Sequence, residues 1–118
     1  MIFRIDPTRD EPLYAQLAAQ VHVAVARGEV GAGYRLPSAR ELATTLDLNM
    51  HTVLHAYQVL RDEGVIELRR GRGAIVAANA PRDLAHVQTA LAGFIRAARD
   101  VGLSVEAATM LLQAEMGR

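Results

Sequence analysis

The stretch from Arg35 to Asn49, RLPSARELATTLDLN, restricts the fold of this chain more than any other segment. Pro37 stops what precedes it. Ser38 followed three residues on by Glu41 is the pattern of a capping box, in which the serine oxygen takes up a free backbone N–H of the new helix. Leu42, Ala43 and Leu46 give that helix one apolar face, and it stops near Asp47. Asn49 then caps a third helix, in which Val53, Ala56, Tyr57 and Leu60 face inward and Gly64 stands at the C-terminal end. A short capped helix followed this closely by a longer one predicts a helix-turn-helix.

The flanks extend this pattern. Ile2 to Ile5 (IFRI) alternates weakly and ends at Asp6-Pro7, which predicts a short edge strand. Asp10-Glu11-Pro12 opens a helix with acids in its first turn and proline near its first position. Leu13, Leu17, Val21, Ala24 and Val25 form its apolar face and Gly28 ends it. GEVGAGYRLP reads as a loop with Gly31, Gly33 and Pro37 permitting a compact path. VIEL (Val65 to Leu68) reads as a strand, RRGRG as a hairpin tip and AIVA (Ala74 to Ala77) as the return strand. The expected fold class is mainly α with a small β-hairpin, a winged helix-turn-helix over residues 1–77.

Residues 78–81 read as a linker, and 82–118 as a two-helix dimerisation tail. In the tail, Leu84, Val87, Leu91, Phe94, Ala98 and Val101 alternate steps of three and four, a narrow seam suited to packing on one other helix. Gly102 interrupts it and Ser104 caps a last helix lined by Val105, Ala108, Leu111 and Leu112 and ending at Gly117. Leu84, Val87, Leu91, Phe94, Ala98, Val101, Leu111 and Leu112 are the candidate dimerisation residues. Packing on the winged domain itself is the alternative use of the stripe.

Composition removes several classes of function. The chain has 118 residues, half of them apolar, with no Trp, two Phe and three Tyr, so one aliphatic, alanine-rich core is expected. Without cysteine it has no disulfide, thiolate metal site or cysteine nucleophile. Its only two serines, Ser38 and Ser104, are both explained as helix caps. With no Gly-x-Ser-x-Gly and no compact carboxylate pair with a base, nothing suggests an enzyme. The N-terminus has charges where a signal peptide needs an apolar run, and no stretch approaches the ~18–20 apolar residues of a membrane span, so a cytoplasmic address and no membrane partner are expected. Thirteen basic residues balance thirteen acidic ones, and every basic one is arginine. Any affinity for nucleic acid must therefore come from local clusters rather than from an overall field.

Several segments together resemble the GntR-type bacterial transcription regulators. They are Pro12-Leu13-Tyr14 with Gln16-Leu17, Arg27-Gly28 with Gly33, Arg35-Leu36-Pro37-Ser38 with Arg40-Glu41-Leu42-Ala43, and Thr52-Val53 with Ala56-Tyr57. Leu60, Glu63-Gly64 and the tip Arg70-Gly71-Arg72-Gly73 with Val76 complete a match spanning roughly residues 10 to 77. The short two-helix tail is similar to that of the YtrA-like subfamily. The resemblance implies a regulator, a repressor by preference, binding a palindromic operator in double-stranded DNA as a homodimer.

On this reading Ser38 starts the second helix, whose N-terminus can face a phosphate, and the resemblance gives Arg40 a DNA contact. Asn49, Met50, His51, Thr52 and His55 lie at the start of the recognition helix, which should enter the major groove. The family often carries arginine at the positions of Met50 and Leu54, and this chain does not. Arg70, Gly71, Arg72 and Gly73 form the wing tip, aimed at phosphates or a minor groove together with Arg69. His51 and His55 are spaced as metal ligands can be, but Thr52 stands where a metalloprotease needs glutamate, so no metal and no cofactor are expected. His22 and His86 read as ordinary surface residues. A small-molecule effector would have to sit between tail and wing or in the dimer interface, and no residue identifies one. The competing function is a protein-interaction module that keeps the winged fold without reading DNA, for which the zero net charge and the missing arginines speak.

Overall fold

Pro12 has no backbone N–H, so it fits where a helix leaves its first N–H groups unpaired, and it caps α1 (Leu13–Ala26). The acids Asp10 and Glu11 precede this helix instead of entering its first turn. The computed structural model describes residues 1–80 and 85–117. The chain divides into two compact units, Met1–Asp83 and Leu84–Arg118.

In the first unit, the edge strand expected at Ile2–Ile5 pairs with side chains and belongs to no sheet among the described residues. Gln16 Oε1 accepts from the Asp6 N–H at 2.9 Å and Gln16 Nε2 donates to the Asp6 carbonyl at 3.0 Å. One turn along α1, Gln20 Oε1 accepts from the Arg4 N–H at 2.8 Å, and its amide nitrogen donates back to the Arg4 carbonyl. Four helical residues rise about 6 Å and two extended residues about 6.7 Å, so glutamines four apart can serve backbone groups two apart. Phe3 and Ile5 pack on the core beneath.

The helix-turn-helix forms from its caps. Ser38 Oγ accepts from the Glu41 N–H at 3.1 Å and starts α2 (Ala39–Leu46), and Asn49 Oδ1 accepts from the His51 N–H at 2.8 Å and starts α3 (Met50–Asp62). Both helices end in the same way, the Leu48 N–H returning to the Ala43 carbonyl at 2.8 Å and the Val65 N–H to the Leu60 carbonyl at 2.9 Å. That geometry needs a left-handed residue one step earlier. After α3 it is Gly64 (φ 78°), but in the turn between α2 and α3 it is Asp47 (φ 54°), the one non-glycine with positive φ among the described residues.

The core takes Leu17, Val21 and Val25 from α1, Leu42 from α2, and Val53, Ala56, Tyr57 and Leu60 from α3. Tyr57 adds a polar anchor: its hydroxyl donates to the Pro37 carbonyl at 2.6 Å and ties α3 to the residue before the α2 cap.

β1 (Ile66–Arg69) and β2 (Gly73–Val76) pair antiparallel, Ile66 opposite Val76 and Arg69 opposite Gly73. The segment expected as a plain loop before Pro37 also joins β2. Arg35 bridges Ile75, the Leu36 N–H donates to the Ala74 carbonyl at 2.8 Å, and the Val76 N–H donates to the Tyr34 carbonyl at 2.9 Å. In the linker expected at 78–81, Ala78 and Asn79 are exposed and Ala80 is buried in this core; residue 81 lies outside the described residues.

In the second unit, α4 (Ala85–Asp100) and α5 (Val105–Met116) are joined at Gly102, and Ser104 Oγ caps α5 by accepting from the Ala107 N–H at 3.1 Å. Neither helix has a buried residue. Leu84, the first residue of the expected seam, lies outside the described residues.

Two stability experiments follow. Relieving the left-handed strain by Asp47→Gly should raise stability, by up to about 1 kcal/mol after glycine's own entropic cost, whereas β-branched Asp47→Val should lower it by more than that; thermal melts followed by circular dichroism measure both. Burial, reinforced by the nearby Glu41 carboxylate, pushes the Tyr57 phenol pKa well above its usual value. An unfolded tyrosine loses its proton near pH 10 while the native one keeps it, so stability is intact below pH 10 and falls above it, at up to about 1.4 kcal/mol per pH unit from this group. Tyr57→Phe should cost about 1 kcal/mol at neutral pH by leaving the Pro37 carbonyl unpaired, and should remove this part of the alkaline decline in denaturant titrations.

Candidate nucleic-acid interface

Because Val53, Ala56, Tyr57 and Leu60 turn inward, the opposite side of α3 faces out, and the helical period assigns its members. Met50, Leu54, Gln58 and Arg61 follow one another at steps of four, four and three, with His51 beside them. Met50 and His51 are exposed at the helix start, Leu54 is half-buried, and Gln58 is exposed with no hydrogen-bond partner among the described residues. Thr52 is half-buried. Asn49 spends its side-chain oxygen on the cap.

His55 is exposed as expected and also contacts α1. Its ring stacks on Tyr14 of α1, with centroids 3.8 Å apart and planes 24° from parallel. The 100° step from Leu54 carries it to the α1 flank of the helix, and the stacking holds it there.

Ser38 and Ala39 at the start of α2, Leu54 and Tyr57 of α3, and Leu68 and Arg70 of the wing border one shallow cleft of about 340 Å³. The beginning of α2, the middle of α3 and the wing thus open on the same side of the first unit. At the wing tip Gly71 (φ 82°) and Gly73 (φ 80°) take the left-handed turn that brings Arg69 opposite Gly73.

Net charge is zero, yet the charges are not evenly neutralised. Arg9, Arg27 and Arg61 each lie within 4.0 Å of a near neighbour's carboxylate. Arg69, expected with the wing cluster, is held by Glu67 of its own strand at 2.6 Å, so its charge is locally compensated. Arg40, Arg70 and Arg72 are exposed with no acidic partner among the described residues. Arg35 joins them, its Nε lying 3.9 Å from where a Cβ on Gly73 would sit, at the base of the wing. Arg35 and Gln58 were not among the residues expected at this surface; the spacing from Met50 points to Gln58, and the RLPS segment contains Arg35.

On the tail unit, Val87, Leu91, Val101, Leu111 and Leu112 are exposed, Leu91 by 46% and Leu112 by 41%, while Phe94 and Ala98 are half-buried. Ile95 and Met110, which the seam pattern did not include, are exposed apolar residues as well. No helix among the described residues is long and apolar enough to cross a membrane.

Comparison with known proteins agrees with this architecture. The model for bacterial regulatory proteins of the gntR family matches residues 13–76, from the start of α1 to the end of β2. The chain is 41% identical over 83 residues to the HTH-type transcriptional repressor YtrA of Bacillus subtilis (strain 168), an overlap covering 70% of this chain and 64% of that protein. It is 33% identical over 100 residues to the HTH-type transcriptional regulator YhcF of the same organism, covering 81% and 83%. Among solved structures, YtrA from Sulfolobus acidocaldarius, a GntR-family transcription factor, superposes with a TM-score of 0.62 at 39% identity over 78% of this chain and 97% of that one. The match of this family model over residues 13–76, more than half of the chain, on the three helices and antiparallel hairpin described there, places the chain in the GntR family of bacterial regulatory proteins.

Proposed function

We propose that this chain is a cytoplasmic transcriptional repressor that binds an inverted-repeat operator in double-stranded DNA as a homodimer, with residues 1–77 reading DNA and 82–118 pairing the copies. The observation that carries this reading is the cleft bordered by the start of α2, the middle of α3 and Arg70 of the wing, with Arg40 on α2 and Arg72 at the wing tip also exposed and without an acidic partner among the described residues. Phosphate contacts need such cations, and an α-helix with one exposed polar and apolar face fits the major groove. The α2 N-terminus at Ser38 adds free N–H groups beside Arg40. Met50, His51 and Thr52 open the recognition helix, and the Gly71 and Gly73 turn holds Arg70 and Arg72 at the tip.

Pairing of two copies is supported by the tail. Two helices with exposed Leu91, Leu111 and Leu112 and no buried residue carry more apolar surface than a monomer ordinarily leaves in water. A two-fold dimer would present two recognition helices to half-sites about one helical turn apart.

The test is an anisotropy titration on duplex from upstream of the chain's own gene, with random duplex as competitor. The expected preference is about a thousandfold or more; equal affinity for both duplexes would refute specific reading. Leu91→Glu should convert the dimer to monomer in sedimentation velocity and weaken operator binding at least about a hundredfold while the helical signal of the winged unit persists. An unchanged sedimentation coefficient would remove the tail from the dimer interface.

A further inference from the structure

The outward face of α3 carries apolar side chains beside the exposed His51, at positions where a groove-reading helix commonly carries hydrogen-bond donors. Met50 is 39% exposed at the helix start, Leu54 stands one turn later at the cleft, and Leu68 of β1, 40% exposed, lies across that cleft from it. These three side chains form no part of the core cluster. None of them has a hydrogen-bond donor, and the thioether sulfur of Met50 is at most a weak acceptor. Arg70, which has no acidic partner among the described residues, borders the same cleft.

In the major groove the four base pairs differ in donors, acceptors and one apolar group, the thymine C5-methyl. An apolar side chain laid against guanine or cytosine covers O6, N7 or N4 without pairing them, which is unfavourable once water is excluded. Laid against thymine it buries a methyl group, which is favourable. Gln58, one turn beyond Leu54 and without a partner among the described residues, is an amide of the kind that pairs with adenine N6 and N7.

Resting on the DNA-reading function above, we infer that this chain recognises thymine methyl groups: each operator half-site carries A·T pairs whose methyls lie against Met50 and Leu54, with Gln58 on an adjacent adenine. The arginines hold the backbone and the apolar face selects the sequence. Replacing Met50 or Leu54 by arginine would then move the preference toward guanine.

The experiment begins with selection of bound duplexes from a random-sequence pool by the full-length chain, followed by replacement of each thymidine in the selected half-site by deoxyuridine, which deletes only the methyl. Affinity should fall about fourfold at each contacted thymine, the equivalent of one buried methyl group. Met50→Ala should abolish the thymidine–deoxyuridine difference at one position and Leu54→Ala at another, with both variants checked for an unchanged melting transition. A defined selected sequence that is indifferent to deoxyuridine throughout, or that places G·C pairs opposite α3, would overturn the methyl reading and leave sequence-specific binding intact. A pool that yields no preferred sequence would overturn the DNA-reading function and this inference with it.

Discussion

Val53, Ala56, Tyr57 and Leu60 bury one side of α3 against the rest of the winged unit, each at 3% exposure or less, and the surface chemistry follows from that burial. With the inner face set, the helical period leaves Met50, Leu54 and Gln58 no direction but outward. The Tyr57 hydroxyl on the Pro37 carbonyl then couples the orientation of α3 to the start of α2, where Arg40 stands. Loss of this side-chain packing would disturb the exposed face of α3 even though every residue on it remained. The turn between α2 and α3 carries strain of its own, because Asp47 fills a left-handed position that glycine fills after α3.

A chain without net charge can still present a cationic face, because ion pairing is local. Four of its arginines pair with acids one or two residues away in sequence, whereas Arg35, Arg40, Arg70 and Arg72 form no ion pair among the described residues, Arg40 despite standing next to Glu41. Over distances beyond a Debye length of about 8 Å the opposite charges elsewhere are screened, so a duplex docked on this face would feel mainly the near cluster. Zero net charge, which favoured an interaction module on composition alone, therefore weighs little once the charges are placed.

What was legible in the sequence was what local chemistry determines. Ser38, Asn49 and Ser104 cap helices through their own side chains to N–H groups two or three residues on, and such contacts need only adjacent residues. The wing could be read from Gly71 and Gly73 between two apolar runs, and the arginines of its tip with it. Contacts between distant segments were not legible. The pairing of Tyr34–Leu36 with β2 is hidden by the flanking glycines and Pro37, and the hold of Gln16 and Gln20 on Arg4 and Asp6 joins an arm to a helix more than one turn away. The stacking of the exposed His55 on Tyr14 joins two helices distant in sequence, and Gln58 lies on the exposed side of α3 beyond its first turn.

The most direct measurement is the salt dependence of duplex affinity for the wild-type chain and for Arg40→Ala and Arg72→Ala. Each phosphate contact contributes about 0.9 to the slope of log K against log salt, so a dimer losing one contact per copy should show a slope smaller by nearly two in each variant, on specific and random duplex alike. An unchanged slope in both variants would contradict the account, because the uncompensated arginines would then not be what holds this face to DNA.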